Sequence, residues 1–209
     1  MDEQIKPEEK VPETPEPEKA STKEAVRPPP SPPYSKWQEV TENINLDNPP
    51  VYVEGLKLNI GSGIDYKKGY INVDKYDNSA DARWDIHDMP LHDNSVAQIV
   101  AYQVMEHLSK AYVTQVLKEF YRILKPQANF IMTIPDIISA CQRVVNDPSD
   151  TWALAHIYGN QTHEGQFHKW GWTSVTMGGE LAFAGFRRIK AFIYDSPLGI
   201  KEIWLEAIK

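Results

Sequence analysis

The sequence predicts an α/β fold built on a mostly parallel sheet, preceded by a disordered tail. Three observations predict it. Strand-like and helix-like apolar patterns alternate from Leu56 to the end of the chain. Four successive strand patterns end in small or polar residues. Proline is concentrated before residue 51. Alternating strands and helices call for parallel strands joined by helical crossovers, and ligands in such sheets bind beyond the carboxyl ends of the strands.

The tail is read first because it sets the domain boundary. Of 209 residues and 16 prolines, the stretch from Met1 to Pro50 holds the runs Pro28-Pro29-Pro30 and Pro32-Pro33, set among Glu and Lys. So few apolar residues cannot offset the entropy of ordering the chain. The segment is expected to be disordered with polyproline II character. It is either a solvated tether or a docking ligand for a proline-binding partner, with Tyr34 and Trp37 at its end. Residues 51–209 then form one domain with room for a sizeable core.

Elements follow in order. Leu56 to Ile60 alternates apolar and polar and runs into Gly61-Ser62-Gly63, a strand ending in a tight turn. Tyr70 to Asp74 and Ala82 to Asp85 read as two short strands, and Val96 to Ala101 as a buried one. From Ser109 to Leu124 the apolar residues Val113, Val116, Leu117, Phe120 and Leu124 share one helical face. Ser109 serves as N-cap and Lys125-Pro126 as the stop. Asn129 to Ile134 is a strand, Ile137 to Val145 a helix, and Ser174 to Ala184 a helix closed by Gly185. Phe186 to Tyr194 and Glu202 to Ile208 are two strands joined by Ser196 to Gly199. That hairpin makes the last strand antiparallel.

The bulk numbers exclude some functions. A net charge of −7 disfavours a duplex nucleic-acid surface. One cysteine, Cys141, excludes an intrachain disulfide and suits a reducing, cytoplasmic setting. It reads as a buried small apolar residue rather than a nucleophile. No apolar run approaches the ~18 residues of a membrane span, and the first residues have no signal-peptide character.

The chemistry sits at the strand ends. A Gly-x-Gly turn lets a ligand approach the backbone, and an acid closing the next strand accepts ribose hydroxyls. Gly61, Gly63 and Asp74 therefore suit an adenosine-containing cofactor. The continuation Ile64 to Gly69 is a poor helix, which disfavours a nicotinamide dinucleotide. Asp85-Ile86 either reads an adenine or caps a loop. Glu106-His107 is either a proton-transfer pair or metal ligand, or a helix-end acid beside a packed histidine. His163-Glu164, His168, Trp170 and Trp172 either line an acceptor pocket or form a packed aromatic rim. Their spacing fits no defined zinc motif, and no metal site is expected.

These residues also carry a family resemblance. Leu58 to Gly63, followed by Gly69-Tyr70-Ile71-Asn72-Val73-Asp74, resembles the first two strands of class I S-adenosylmethionine-dependent methyltransferases. The likeness is to methyltransferase type 11 and a bacterial and phage-type subgroup. Asp85 to Ser95, Val104 to Leu108 and Arg122 to Pro126 are similar to its later motifs. So are Tyr158-Gly159, Gln161, His168, Gly171-Trp172-Thr173 and Ala184-Gly185-Phe186. The resemblance implies a Rossmann-like seven-stranded sheet with helices on both faces. It implies S-adenosylmethionine as cofactor, held by Asn59, Gly61, Ser62, Gly63, Asp74, Asp85, Ile86, Tyr102 and Gln103. The chain departs from the pattern at Asn59 and Ala97, where acids are usual, at Asp65, and at Gln127-Ala128, where a Gly-Gly turn is usual.

Methyl transfer to a small-molecule or glycan-like acceptor is the leading expectation, with His107 or His168 as general base. The alternative is a catalytically inactive scaffold of the same fold, tethered by its tail.

Overall fold

The computed structural model describes residues 55–196 and 199–209. The segment read as a tail, with Tyr34 and Trp37, and the Pro197-Leu198 pair lie outside the described residues. Six strands form one sheet: β1 (Lys57–Ile60), β2 (Ile71–Val73), β3 (Val96–Tyr102), β4 (Leu124–Pro135), β5 (Arg187–Asp195) and β6 (Lys201–Ile208), in the order β2-β1-β3-β4-β6-β5. β1 runs parallel to β2 and β3, and β3 parallel to β4, while β6 is antiparallel to both β4 and β5. The antiparallel last strand is therefore as expected.

The expected seventh strand is not formed among the described residues. Of Ala82 to Asp85, only Ala82 pairs, in a single parallel bridge to Val73. The cause is local. Arg83 and Asp85 are exposed, so the quartet has too little apolar surface to extend a ladder. Asp85 instead folds back to accept from the His87 amide, at 2.9 Å. β4 also starts earlier than predicted, directly after the first helix. Gln127 takes φ 65° there, the left-handed region that a glycine would occupy without strain. The register between β3 and β4 shifts at the same place.

Helix α1 (Lys110–Ile123) forms because its apolar residues recur at helical spacing. Val113, Val116, Leu117, Phe120 and Ile123 are all fully buried, and each contributes about 1.5–3 kcal/mol by leaving water. Phe120 meets Phe130 of β4 edge-on at 5.3 Å, and Phe130 meets Phe186 at 5.7 Å. α4 (Ser174–Ala184) lies beside α1 and buries Met177, Leu181 and Ala184. A Thr173–Thr176 capping box starts it and Gly185, at φ 109°, ends it. Glu180 joins the two helices by accepting from Lys110 Nζ and Thr114 Oγ1, both at 2.6 Å.

α1 and α4 bury their apolar faces in the main core, which lies on one face of the sheet. The buried cluster of the other face, Tyr70, Val100 and Ile131 with Tyr102 and Trp204 against it, contains no helical residue. A polar ladder crosses that face instead. Tyr70 Oη donates to Gln98 Oε1, Gln98 Nε2 to Asn129 Oδ1, and Asn129 Nδ2 to Glu206 Oε1, at 2.5, 3.0 and 3.2 Å.

Two further helices, α2 (Ile137–Asn146) and α3 (Thr151–Tyr158), follow β4 and pack on each other. Asp136 and Asp150 cap them by accepting from Ser139 and Ala153 amides. The sequence reading missed α3, whose eight residues carry little periodic signal. Cys141 is exposed on α2, contrary to expectation, because α2 buries only Ala140. Among the described residues, no helix is long and apolar enough to cross a membrane.

One ion-pair network holds the loop after Asp85 against α1. Arg122 donates to both oxygens of buried Glu119 (2.7 and 2.6 Å), to Asp93 (2.7 Å) and to the carbonyls of Met89 and Leu91. Glu119 in turn accepts from the Met89 amide at 2.7 Å. Such a two-pronged fork fixes geometry as well as charge.

Replacing Phe120 by Ala is expected to lower unfolding free energy by about 3–5 kcal/mol in a urea titration. Replacing Phe183, which is 72% exposed, is expected to cost under ~1 kcal/mol.

Candidate active site

The turn after β1 is shaped by its neighbours. Gly61 has φ 62° and Gly63 φ 45°. A side chain at Gly61 would place its Cβ 2.5 Å from Val104 Cγ2, whereas nothing lies within 4 Å of the corresponding point at Gly63. The turn is thus closed on the Val104 side and open at Gly63. The amides of Gly61 and Ser62 both donate to the Val73 carbonyl, at 2.8 and 3.2 Å. The Gly63 amide donates to Asp74 Oδ2 at 2.8 Å, and Asp74 Oδ1 accepts from Tyr76 and Asp77 amides at 2.7 and 2.9 Å. Asp74 is half-buried, and a carboxylate offers about four lone-pair sites, so acceptor capacity remains beside the open space.

Beneath the turn lies a buried amide network. Asn59 Nδ2 donates to the Asp65 carbonyl and to Asn72 Oδ1, both at 2.9 Å. Asn72 Oδ1 also accepts from the Lys67 amide at 2.7 Å, and Asn72 Nδ2 reaches the Lys67 and Tyr70 carbonyls and Asp81 Oδ2. Asp81 accepts from the Asn72 amide and from Tyr66 Oη. A carboxylate at position 59 could not donate to Asp65. The departure at Asn59 therefore has a structural reason. No described contact accounts for Ala97.

Of the remaining predicted cofactor residues, Tyr102 and Gln103 lie at the end of β3, the strand beside β1. Asp85 is exposed and bonded to the His87 amide and ring, which hold its carboxyl below the usual range. Ile86 packs against the main core. Tyr102 ends β3, with Lys67 Nζ 4.8 Å from its ring centroid. Gln103 takes φ 55°, its amide donating to the Thr133 carbonyl at 2.9 Å and its Nε2 to Thr133 Oγ1 at 3.3 Å. A non-glycine residue in that conformation stores strain of about 1–3 kcal/mol, a pattern common at functional sites. Ser62 Oγ is buried without a hydrogen-bond partner.

The segment between α3 and α4 comes over the end of β3. Gly159, at φ 78°, is required because a Cβ there would meet the Gln166 carbonyl. Lys169 and Trp170 amides donate to the Glu106 carbonyl at 2.7 and 3.2 Å, which fastens the segment to the 3-10 turn Met105–His107. His107 and His168, distant in sequence, thereby meet edge-on with ring centroids 4.8 Å apart. His107 Nδ1 lies 3.1 Å from the Phe167 carbonyl, and His168 Nδ1 2.9 Å from the His156 carbonyl. Burial and the neighbouring His168 lower His107 to about 4, and burial lowers His168 too.

Glu106 is 1% exposed, and neither carboxylate oxygen has a hydrogen-bond partner. Burial first, with repulsion from Glu202 added, raises its carboxyl to about 8. The His163 ring lies tilted against Tyr76, with ring centroids 5.5 Å apart. Trp172 does not line a pocket: it is buried, and its Nε1 donates to the Met105 carbonyl at 3.3 Å. Trp170 is exposed beside it.

Comparison with known proteins bears on the fold. Residues 56–132 match the family described as a methyltransferase domain. Among solved structures, this chain resembles an S-adenosylmethionine-dependent methyltransferase from Archaeoglobus fulgidus at 16% identity and TM-score 0.55, over 74% of this chain and 86% of that one. A possible histamine N-methyltransferase from Thermotoga maritima gives 16% and 0.53, over 76% and 84%. The 1,6-didemethyltoxoflavin-N1-methyltransferase of Burkholderia thailandensis, bound to 1,6-didemethyltoxoflavin and S-adenosylhomocysteine, gives 14% and 0.53, over 74% and 70%. At these identities the likeness is one of fold. No curated protein matches the sequence.

The open space at Gly63, the spare acceptor capacity of Asp74 and the unpartnered Ser62 hydroxyl fit a nucleoside-bearing cofactor. Asn72, Asp81 and Val104 are the supporting residues that sequence reasoning missed. Asn72 and Val104 lay inside quoted motifs, but nothing in the sequence marked Asp81.

Asn72→Ala is expected to destabilise the domain by roughly 2–4 kcal/mol, because it leaves several buried donors and acceptors unpaired. Thermal and urea unfolding would measure this, with the exposed Asn78→Ala as control.

Proposed function

We propose that this domain transfers a methyl group from S-adenosylmethionine to a small-molecule or glycan-like acceptor. The observation that carries the reading is the Gly61–Gly63 turn, open at Gly63 and bonded to Asp74, with two imidazoles, His107 after β3 and His168 between α3 and α4, meeting edge-on. When bound, S-adenosylmethionine supplies a sulfonium methyl open to in-line displacement. The chain's own work is then positioning, and correct orientation alone removes much of such a barrier.

The backbone of Gly61, Ser62 and Gly63 would hold the methionine portion, and the remaining acceptor site of Asp74 a ribose hydroxyl. Asp85 and Ile86 would take the adenine, and Tyr102 and Gln103 the region of the sulfonium. Asn59 acts from beneath, by keeping the turn in shape. For a hydroxyl acceptor, a base is needed. His107 and His168 suit the role because each fixes its Nδ1 on a backbone carbonyl and leaves Nε2 for a proton. The small-molecule acceptor bound to the Burkholderia protein supports an acceptor of similar scale. The proline-rich N-terminal segment is proposed as a tether or a docking ligand for a protein partner.

Calorimetric titration of the full chain with S-adenosylmethionine is expected to give a Kd of roughly micromolar, about −8 kcal/mol. Asp74→Ala is expected to abolish that binding. Formation of S-adenosylhomocysteine with a panel of hydroxyl and amine acceptors then reads transfer. Absence of binding at millimolar cofactor would put the non-catalytic scaffold reading in its place.

A further inference from the structure

We propose that Glu106, His107 and His168 form a binding site for one divalent transition-metal ion of the zinc class. Their ligand atoms all lie within 4.8 Å of one another. They are one carboxylate and two imidazoles, a donor set that suits zinc and its neighbours.

Three independent features support the site. The first is Glu106. A carboxylate that is 1% exposed and has no hydrogen-bond partner on either oxygen is costly to keep unless a positive charge or a proton meets it. Among the described residues, no Lys or Arg forms an ion pair with it. The second is the pair of histidines. His107 Nδ1 and His168 Nδ1 are each directed at a backbone carbonyl, of Phe167 and His156. Metal-binding histidines are oriented this way: one ring nitrogen donates to a carbonyl, which leaves the lone pair of the other for the ion. The third is rigidity. The Glu106 carbonyl accepts from the Lys169 and Trp170 amides, so the same short turn that supplies Glu106 and His107 holds the segment bearing His168.

An ion sits about 2.0–2.2 Å from each such ligand, so small side-chain rotations would draw the three atoms inward. Three protein ligands leave a fourth position open, the arrangement of reactive rather than purely structural zinc. Coordination uses the Nε2 lone pairs, so in the metal-loaded protein neither histidine serves as base. The ion would instead lower the pKa of a bound acceptor hydroxyl. That use rests on the methyl-transfer reading; binding of the ion does not.

The test is a titration of the chelator-stripped, untagged full chain with zinc ion. Calorimetry is expected to show one equivalent bound with a Kd of about 1 μM or tighter. Glu106→Gln, which keeps size and shape, and His168→Ala are each expected to weaken binding by at least ~10-fold. That is the lower end of what even supporting residues of a metal site contribute. His163→Ala and Asp74→Ala are expected to leave it unchanged. The last variant separates the two readings, because it removes cofactor binding and spares the metal. Absence of zinc binding by the wild-type chain would overturn the site and leave Glu106 a buried carboxylic acid. So would binding that survives both Glu106→Gln and His168→Ala. Thermal unfolding of each variant without metal distinguishes loss of a ligand from loss of the fold.

Discussion

The side-chain amide of Asn72 is the constraint on which the site depends. The crossover from β1 to β2 contains no helix, so the usual means of satisfying its backbone groups is missing. Asn72 replaces it, bonding the backbone of Lys67 and Tyr70 while also meeting Asn59 and Asp81. The glycine turn sits directly above this network. Its shape is therefore set from below by buried amides and from the side by Val104, and the open space at Gly63 is what remains. Because both supports are packed and hydrogen-bonded, the turn is pre-formed, which reduces the ordering cost of binding.

Much of the fold was legible in the sequence. α1 and α4 announced themselves by period and by their end signals, and β1, β3 and the closing hairpin by alternation and turn residues. What failed has physical causes. Ala82 to Asp85 has strand-like composition, but only Ala82 finds a ladder partner, because Arg83 and Asp85 are exposed and the Asp85 side chain is spent on a local turn with His87. α3 is too short to show a period. The paired histidines were individually visible, but their meeting depends on a long segment closing over β3, and no local pattern encodes that.

The motif residues divide into two kinds of work. Arg122, Glu119 and Asp93 hold a loop to a helix, and Gly159 and Thr173 shape the segment that carries His168. Asp74 and Gly63 face open space. A motif shared with a family thus reports architecture as readily as chemistry. Only the structure separates the residues that a ligand would touch from those that keep the frame in register.

The polar ladder of Tyr70, Gln98, Asn129 and Glu206 has a consequence for how such a chain changes over time. Each rung donates to the next, so altering one orphans its neighbour, and at the buried Tyr70 and Gln98 such an orphan costs more than the bond it replaced. Drift at these four positions is therefore coupled: the viable routes are concerted replacements, or none. Single substitutions can accumulate freely on the exposed outer surface of α4, while the sheet beneath is inherited as a block.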